Sequence, residues 1–132
     1  MAITAYLYYQ DVRAALKWLA KAFGFKRYGP SNSGPDGRIF HAAMQFGDGI
    51  VMMGDPGPKY RTSKRAMHRT HCLHVDVDDV DRHCAKARRA GARIVAEPTD
   101  TPFERRYAAE DPEGHHWYFA QPVRRGRTRQ RR

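Results

Sequence analysis

The feature that most limits the folds open to this chain is an internal repeat at an offset of 67 positions. Asp11 recurs as Asp78 and Gly24 as Gly91, and the segment Tyr8–Phe25 runs parallel to Val75–Ala92. A repeat of this length means one supersecondary unit used twice, with each copy burying the apolar face that the other exposes. Within each copy the pattern reads strand, capped helix, strand. Asp11 and Asp78, or its neighbour Asp79, are suited to accept hydrogen bonds from the free N–H groups of a first helical turn, and Gly24 and Gly91 to end the helix in a left-handed conformation. Val12, Ala15, Leu16, Leu19 and Phe23 share one helical face, as Val80, Cys84 and Ala87 do in the second copy. Trp18, in the first helix, reads as packing.

Strand-like runs follow each helix: 38–46 and 50–53 in the first copy, then 93–96, 105–109 and 115–119 in the second. Gly47-Asp48-Gly49 and Asp111-Pro112-Glu113-Gly114 are turns at corresponding places, and Gly49 to Gly114 is an offset of 65. Each copy is therefore a βαβββ unit, spanning about 2–54 and 69–122, with a polar linker over 55–64. A single domain is expected over 1–123.

The formal net charge of +10 suggests a nucleic-acid partner until it is located. Six of the arginines fall in 124–132, leaving +4 for the rest of the chain. That stretch has no apolar residue to offset its ordering entropy and is expected to be a disordered tail. Nucleic acid is thus a partner only through nonspecific phosphate contacts of the tail. No run approaches the ~18 apolar residues of a membrane span, and the N-terminus lacks the pattern of a secretory signal, so a cytoplasmic protein without membrane contact is expected. Cys72 and Cys84 fit neither zinc-finger spacing nor a disulfide framework and read as free thiols.

Taken in order, Tyr-x-Asp-Val before a helix and Phe23-Gly24-Phe25, His41-Ala42-Ala43-Met44 before Gly47-Asp48-Gly49, Val77-Asp78-Asp79-Val80-Asp81 before Ala90-Gly91-Ala92, and Asp111-Pro112-Glu113-Gly114-His115-His116-Trp117 resemble the glyoxalase / bleomycin-resistance / extradiol-dioxygenase superfamily, also called vicinal oxygen chelate proteins. The resemblance covers roughly residues 3–122. It implies an α+β fold in which two βαβββ units form a curved mixed half-barrel sheet with helices on the outer face, and a homodimer, with the pairing of units within a chain or between chains left open. In the metalloenzyme members of that superfamily, four ligands, usually His and Glu, occupy the first and last strands of the two units.

Those positions can be placed by strand alternation. If Ala5, Leu7 and Tyr9 meet the helix, then Thr4, Tyr6 and Tyr8 face the cleft; if Leu73, Val75 and Val77 do so in the second copy, then Cys72, His74 and Asp76 face it. A slip by one residue would bring in His71 and bury three polar groups, which is costly. Counting from the two turns puts the remaining ligand positions on Met53 and Tyr118. The set Thr4, Met53, Cys72 and Tyr118 lacks the carboxylates and imidazoles of such a centre, so no metal and no cofactor are expected, and the activities of the metalloenzymes are not carried over.

The residues expected to line the cleft are Thr4, Tyr6, Tyr8, Met53, Cys72, His74, Asp76, His116 and Tyr118, with no catalytic residue assigned. Glu104, Arg105 and Arg106 stand at its rim, where they suit a carboxylate or phosphate. Trp117 alternates away from Tyr118, toward the helix. The function this implies is a metal-free small-molecule-binding protein with a neutral or anionic ligand, since the body of the chain is itself cationic. The alternatives are a metal-dependent lyase, isomerase or dioxygenase with its site relocated to His74 and His116, and a thiol-dependent enzyme using Cys72.

Overall fold

The structure is a computed structural model that describes residues 3–62 and 71–122. The first unit runs β1 (Ala5–Tyr8), α1 (Val12–Phe23), β2 (Lys26–Arg27), β3 (Asn32–Ser33), β4 (Ile39–Phe46) and β5 (Gly49–Gly54). The second runs β6 (Leu73–Asp76), α2 (Val80–Arg89), β7 (Arg93–Asp100), β8 (Glu104–Glu110) and β9 (His116–Pro122). The repeat is thus realised as a βαβββ unit used twice, with the short β3 as an addition to the first. The expected tail at 124–132 and the end of the linker lie outside the described residues. Among the described residues no helix is long and apolar enough to cross a membrane.

Both helices start where a carboxylate can take a first-turn N–H. Asp11 accepts from Ala14 N at 3.0 Å and Asp79, rather than Asp78, from Arg82 N at 3.0 Å. Helix α1 ends at Gly24, whose φ of +81° is open to glycine at little cost. Each unit makes its own open sheet, ordered β1-β5-β4-β2 with β3 on β4, and β6-β9-β8-β7; β1–β5 and β6–β9 pair in parallel. No strand pairing joins the two sheets among the described residues, and β1 and β6 are each left as a free edge. This is the α+β architecture expected, with its sheet divided between two units.

One core serves both units. Helices α1 and α2 lie side by side, and Phe23 at the end of α1 reaches the second sheet, its ring 4.6 Å from Phe119 and 5.6 Å from Trp117. Two polar joints fasten this contact. In the first, His83 of α2 donates from Nε2 to the Phe23 carbonyl at 2.9 Å, so Nδ1 is the unprotonated nitrogen and accepts from the Tyr107 hydroxyl at 2.6 Å. Burial holds the His83 pKa below its ordinary value. An imidazole with a depressed folded pKa favours folding above the unfolded value of about 6.5 and loses that contribution as pH falls. The urea midpoint should therefore drop between pH 7 and pH 5, and this slope should flatten in His83→Gln; an unchanged slope in the variant would show that the joint does not sense acid.

The second joint is Asp111, a buried carboxylate in the β8–β9 loop. Its Oδ2 accepts from the Tyr9 hydroxyl at 2.6 Å and from Trp117 Nε1 at 3.2 Å, while Oδ1 accepts from Glu113 N and His115 N at 3.1 and 3.0 Å. The same loop grips the start of α1, because Glu113 accepts from Gln10 N at 2.6 Å and Asp11 N at 2.9 Å. Burial first, and then the Asp111 charge, push the Tyr9 hydroxyl well above its ordinary pKa.

Candidate functional site: two open sheet faces

On β1 the side chains alternate as expected: Leu7 and Tyr9 are buried beneath α1, while Tyr6 and Tyr8 are 47% and 51% exposed on the other face. Their rings meet edge to face at 6.0 Å, and Tyr8 meets Tyr60 in the same way at 5.8 Å. The Tyr6 hydroxyl is 3.0 Å from His41 Nδ1, across the residue that separates them in the sheet, Gly54. A side chain at Gly54 would collide with Tyr6, since a Cβ there would lie 2.3 Å from its hydroxyl oxygen. Tyr6 therefore lies flat over bare backbone, and with Tyr8, Tyr60 and His41 it makes an aromatic surface free of formal charge.

The corresponding face of the second sheet is charged. His74 and Asp76 point outward from β6, and His74 is paired in register with Tyr118 on β9. His74 Nε2 donates to Glu104 at 3.1 Å, and Glu104 also takes Arg106 at 3.4 Å. Arg106 lies over the Tyr118 ring, 5.1 Å from its centroid, and His116 stacks obliquely on Tyr118 at 5.1 Å. The hydrogen bond from His74, more than any other influence, holds the Glu104 carboxyl below its usual range. Arg105 is otherwise engaged, bridging Asp81 and Asp100 at 2.9 and 3.0 Å, which leaves Arg106 as the rim guanidinium beside the face.

The expected cleft residues thus divide between the sheets. Tyr6 and Tyr8 come together on the first; His74, Asp76, His116 and Tyr118 on the second. Thr4 and Cys72 are exposed just before β1 and β6. Met53 is a correction: it is wholly buried, opposite Leu7 beneath α1, and its neighbour Met52 holds the open-face position beside Tyr6. The reason is register. Tyr6 on β1 pairs with Met52 and the equivalent His74 on β6 pairs with Tyr118, an offset of 66 (118 − 52), whereas Gly49 to Gly114 is 65, so counting from glycine to glycine is out by one and reverses the face. His41, Met52 and Tyr60 were not singled out as cleft residues from the sequence; following the alternation of Tyr6 and Tyr8 across the hairpin register would have found the first two.

The donor chemistry is a poor match for a resident metal. Thioether, hydroxyl, thiol and phenol groups stand at the four positions, and no group of three His, Cys, Asp or Glu side chains is arranged to hold an ion among the described residues. His74 Nε2 is hydrogen-bonded to Glu104, and its Nδ1 lies 3.9 Å from Asp76.

Comparison with known proteins agrees with this architecture. A family model of the Glyoxalase/Bleomycin resistance protein/Dioxygenase superfamily matches residues 2–119. The uncharacterised protein Mb0911c of Mycobacterium bovis is 35% identical over 130 residues, which cover 93% of this chain and 84% of that one. Among solved structures, TioX from Micromonospora sp. ML1 is 35% identical with a TM-score of 0.76, covering 93% of this chain and 99% of its own. TnmS3, an antibiotic binding protein from Streptomyces sp. CB03234, shares the fold at 20% identity and a TM-score of 0.66, over 93% of this chain and 98% of its own.

Proposed function

Since the chain belongs to the Glyoxalase/Bleomycin resistance protein/Dioxygenase superfamily, we propose that it is a metal-free small-molecule-binding protein whose ligand lies between an aromatic and a charged sheet face. The observation that carries this is the half-exposed ring surface of Tyr6 and Tyr8, with Tyr6 laid over Gly54 where no side chain fits. Half-exposed aromatics held in fixed geometry offer stacking area to a planar guest at little entropic cost. Arg106, over Tyr118, offers a cation to a polar or anionic substituent. The ligand class is therefore a planar, amphipathic molecule that is neutral or anionic. Antibiotic binding by TnmS3 is one use of the same fold.

The proposal includes a homodimer, in which the aromatic face of one chain meets the charged face of its partner, and a single domain over 1–123. The separation of the two faces onto two sheets with free edges supports it: each face alone covers only one side of a guest. A thermal-shift screen of planar neutral, anionic and cationic compounds tests the reading. A compound present at 100 times its Kd should raise stability by about 2.7 kcal/mol. Neutral or anionic aromatics should do this and cations should not; a screen in which only cations stabilise, or nothing does, would overturn the ligand class.

A further inference from the structure

We propose that the groove along the free edge of β6 is a docking surface for an arginine-rich segment, and that its occupant is this chain's own residues 124–132. The groove has a volume of about 560 Å³ and runs between β6 and the β4–β5 hairpin. Phe25, Phe46 and Trp117 line it from the core, and Asp48, Asp76 and Asp78 bring carboxylates to it. Among the described residues no lysine or arginine lines it, although the chain has 24 of them. Among the described residues Asp48 and Asp78 have no hydrogen-bonding or ion-pair partner, and Asp76 has only the 3.9 Å approach of His74. A groove edged by unpaired carboxylates, with the partly exposed Phe46 ring on its wall, on a strongly basic protein suits a guanidinium, which pairs with carboxylates and stacks on an exposed ring.

The position of Pro122, the last described residue, selects the occupant. Strand β9 is the parallel neighbour of β6, with Asp76 beside Ala120, and Val77 N donates to the Ala120 carbonyl at 2.9 Å. Pro122 therefore ends β9 about one strand spacing, ~4.8 Å, from the carboxylate end of β6. The ten residues from 123 to 132 span up to ~33 Å when extended, more than the ~20 Å of six strand residues along the groove. Residues 124–132 contain six arginines and no acidic residue. Such a segment cannot build a core, but it can be held by ion pairs and stacking at a site one strand away, where tethering gives a high effective concentration.

Hydrogen–deuterium exchange on dilute full-length protein tests this, in peptides covering 46–51 and 73–78. Two full-length variants are compared with wild type: one carries Asp48→Asn, Asp76→Asn and Asp78→Asn, and the other has each of the six arginines of 124–132 changed to glutamine. Both should exchange about tenfold faster in those peptides at low salt, as should wild type in 1 M NaCl, where the screening length is only about 3 Å; peptides from α1 should not change. Equal exchange in all samples would overturn the proposal. So would protection in wild type that grows with protein concentration, because that would assign the groove to a second copy.

Discussion

Asp111→Ala is expected to lower the free energy of unfolding by about 3 kcal/mol or more, measured by urea denaturation at neutral pH. The carboxylate is almost fully buried and accepts four hydrogen bonds, two of them from the Tyr9 hydroxyl and the Trp117 indole. Alanine leaves all four donors without that acceptor, the Tyr9 hydroxyl and the Trp117 indole in buried positions, and an orphaned buried donor costs about 1–3 kcal/mol. The cost falls on the joint between units, since Tyr9 belongs to the first and Asp111 to the second. A double-mutant cycle with Tyr9→Phe should show coupling of at least about 0.5 kcal/mol. Additive losses would mean that Asp111 serves only its own loop. Asp111→Asn should cost less, because Oδ1 can go on accepting from Glu113 and His115.

The larger functional effect is expected from Tyr6→Ala with Tyr8→Ala, which should weaken binding of any planar ligand by about 100-fold, or ~2.7 kcal/mol, in a calorimetric titration. Stability should change little, because both rings stand on the open face and neither belongs to the core. Arg106→Ala should instead weaken polar or anionic ligands selectively and leave neutral aromatics nearly unaffected. If sites form across a dimer, mixing the double tyrosine variant with Arg106→Ala chains should restore one intact site per heterodimer. Failure of mixing to restore any tight site would place both walls of the cleft in one chain.

How far the sequence could be read depended on the range of the interaction. Local chemistry was legible: Asp11 and Gly24 mark the ends of α1, and two-residue alternation put Tyr6, Tyr8, His74 and Asp76 on the open faces and Trp117 in the core. The repeat was legible as well, though Asp79 rather than Asp78 caps α2, so the true offset between the helix starts is one residue longer than the aspartate spacing suggests. Met53 fell on the wrong face because the repeat was counted between glycines 65 positions apart, whereas strand pairing makes Met52 and Tyr118, 66 apart, the equivalent residues. Register follows hydrogen-bonded pairing, which turn composition alone does not define.

Contacts between distant residues were not legible at all. Nothing in the neighbourhood of Asp111 indicates that its partner is Tyr9, 102 positions away, or that His83 would cap the carbonyl of Phe23. The division of charge was hidden for a related reason. A chain of net charge +10 presents an aromatic face without formal charge and a groove bordered by carboxylates, because strand register, not composition, decides which side chains share a surface.

Central to the proposed function is metal-independent binding of a small molecule on the open faces. It is tested most directly by titrating the strongest compound from the thermal-shift screen into protein held in excess EDTA, with heat as the readout. The expected result is one ligand bound per chain, with the same affinity with or without chelator and a roughly 100-fold loss in the double tyrosine variant. Binding that vanishes in EDTA and returns on adding a divalent ion would contradict the account, as would binding that the loss of both tyrosines leaves unchanged.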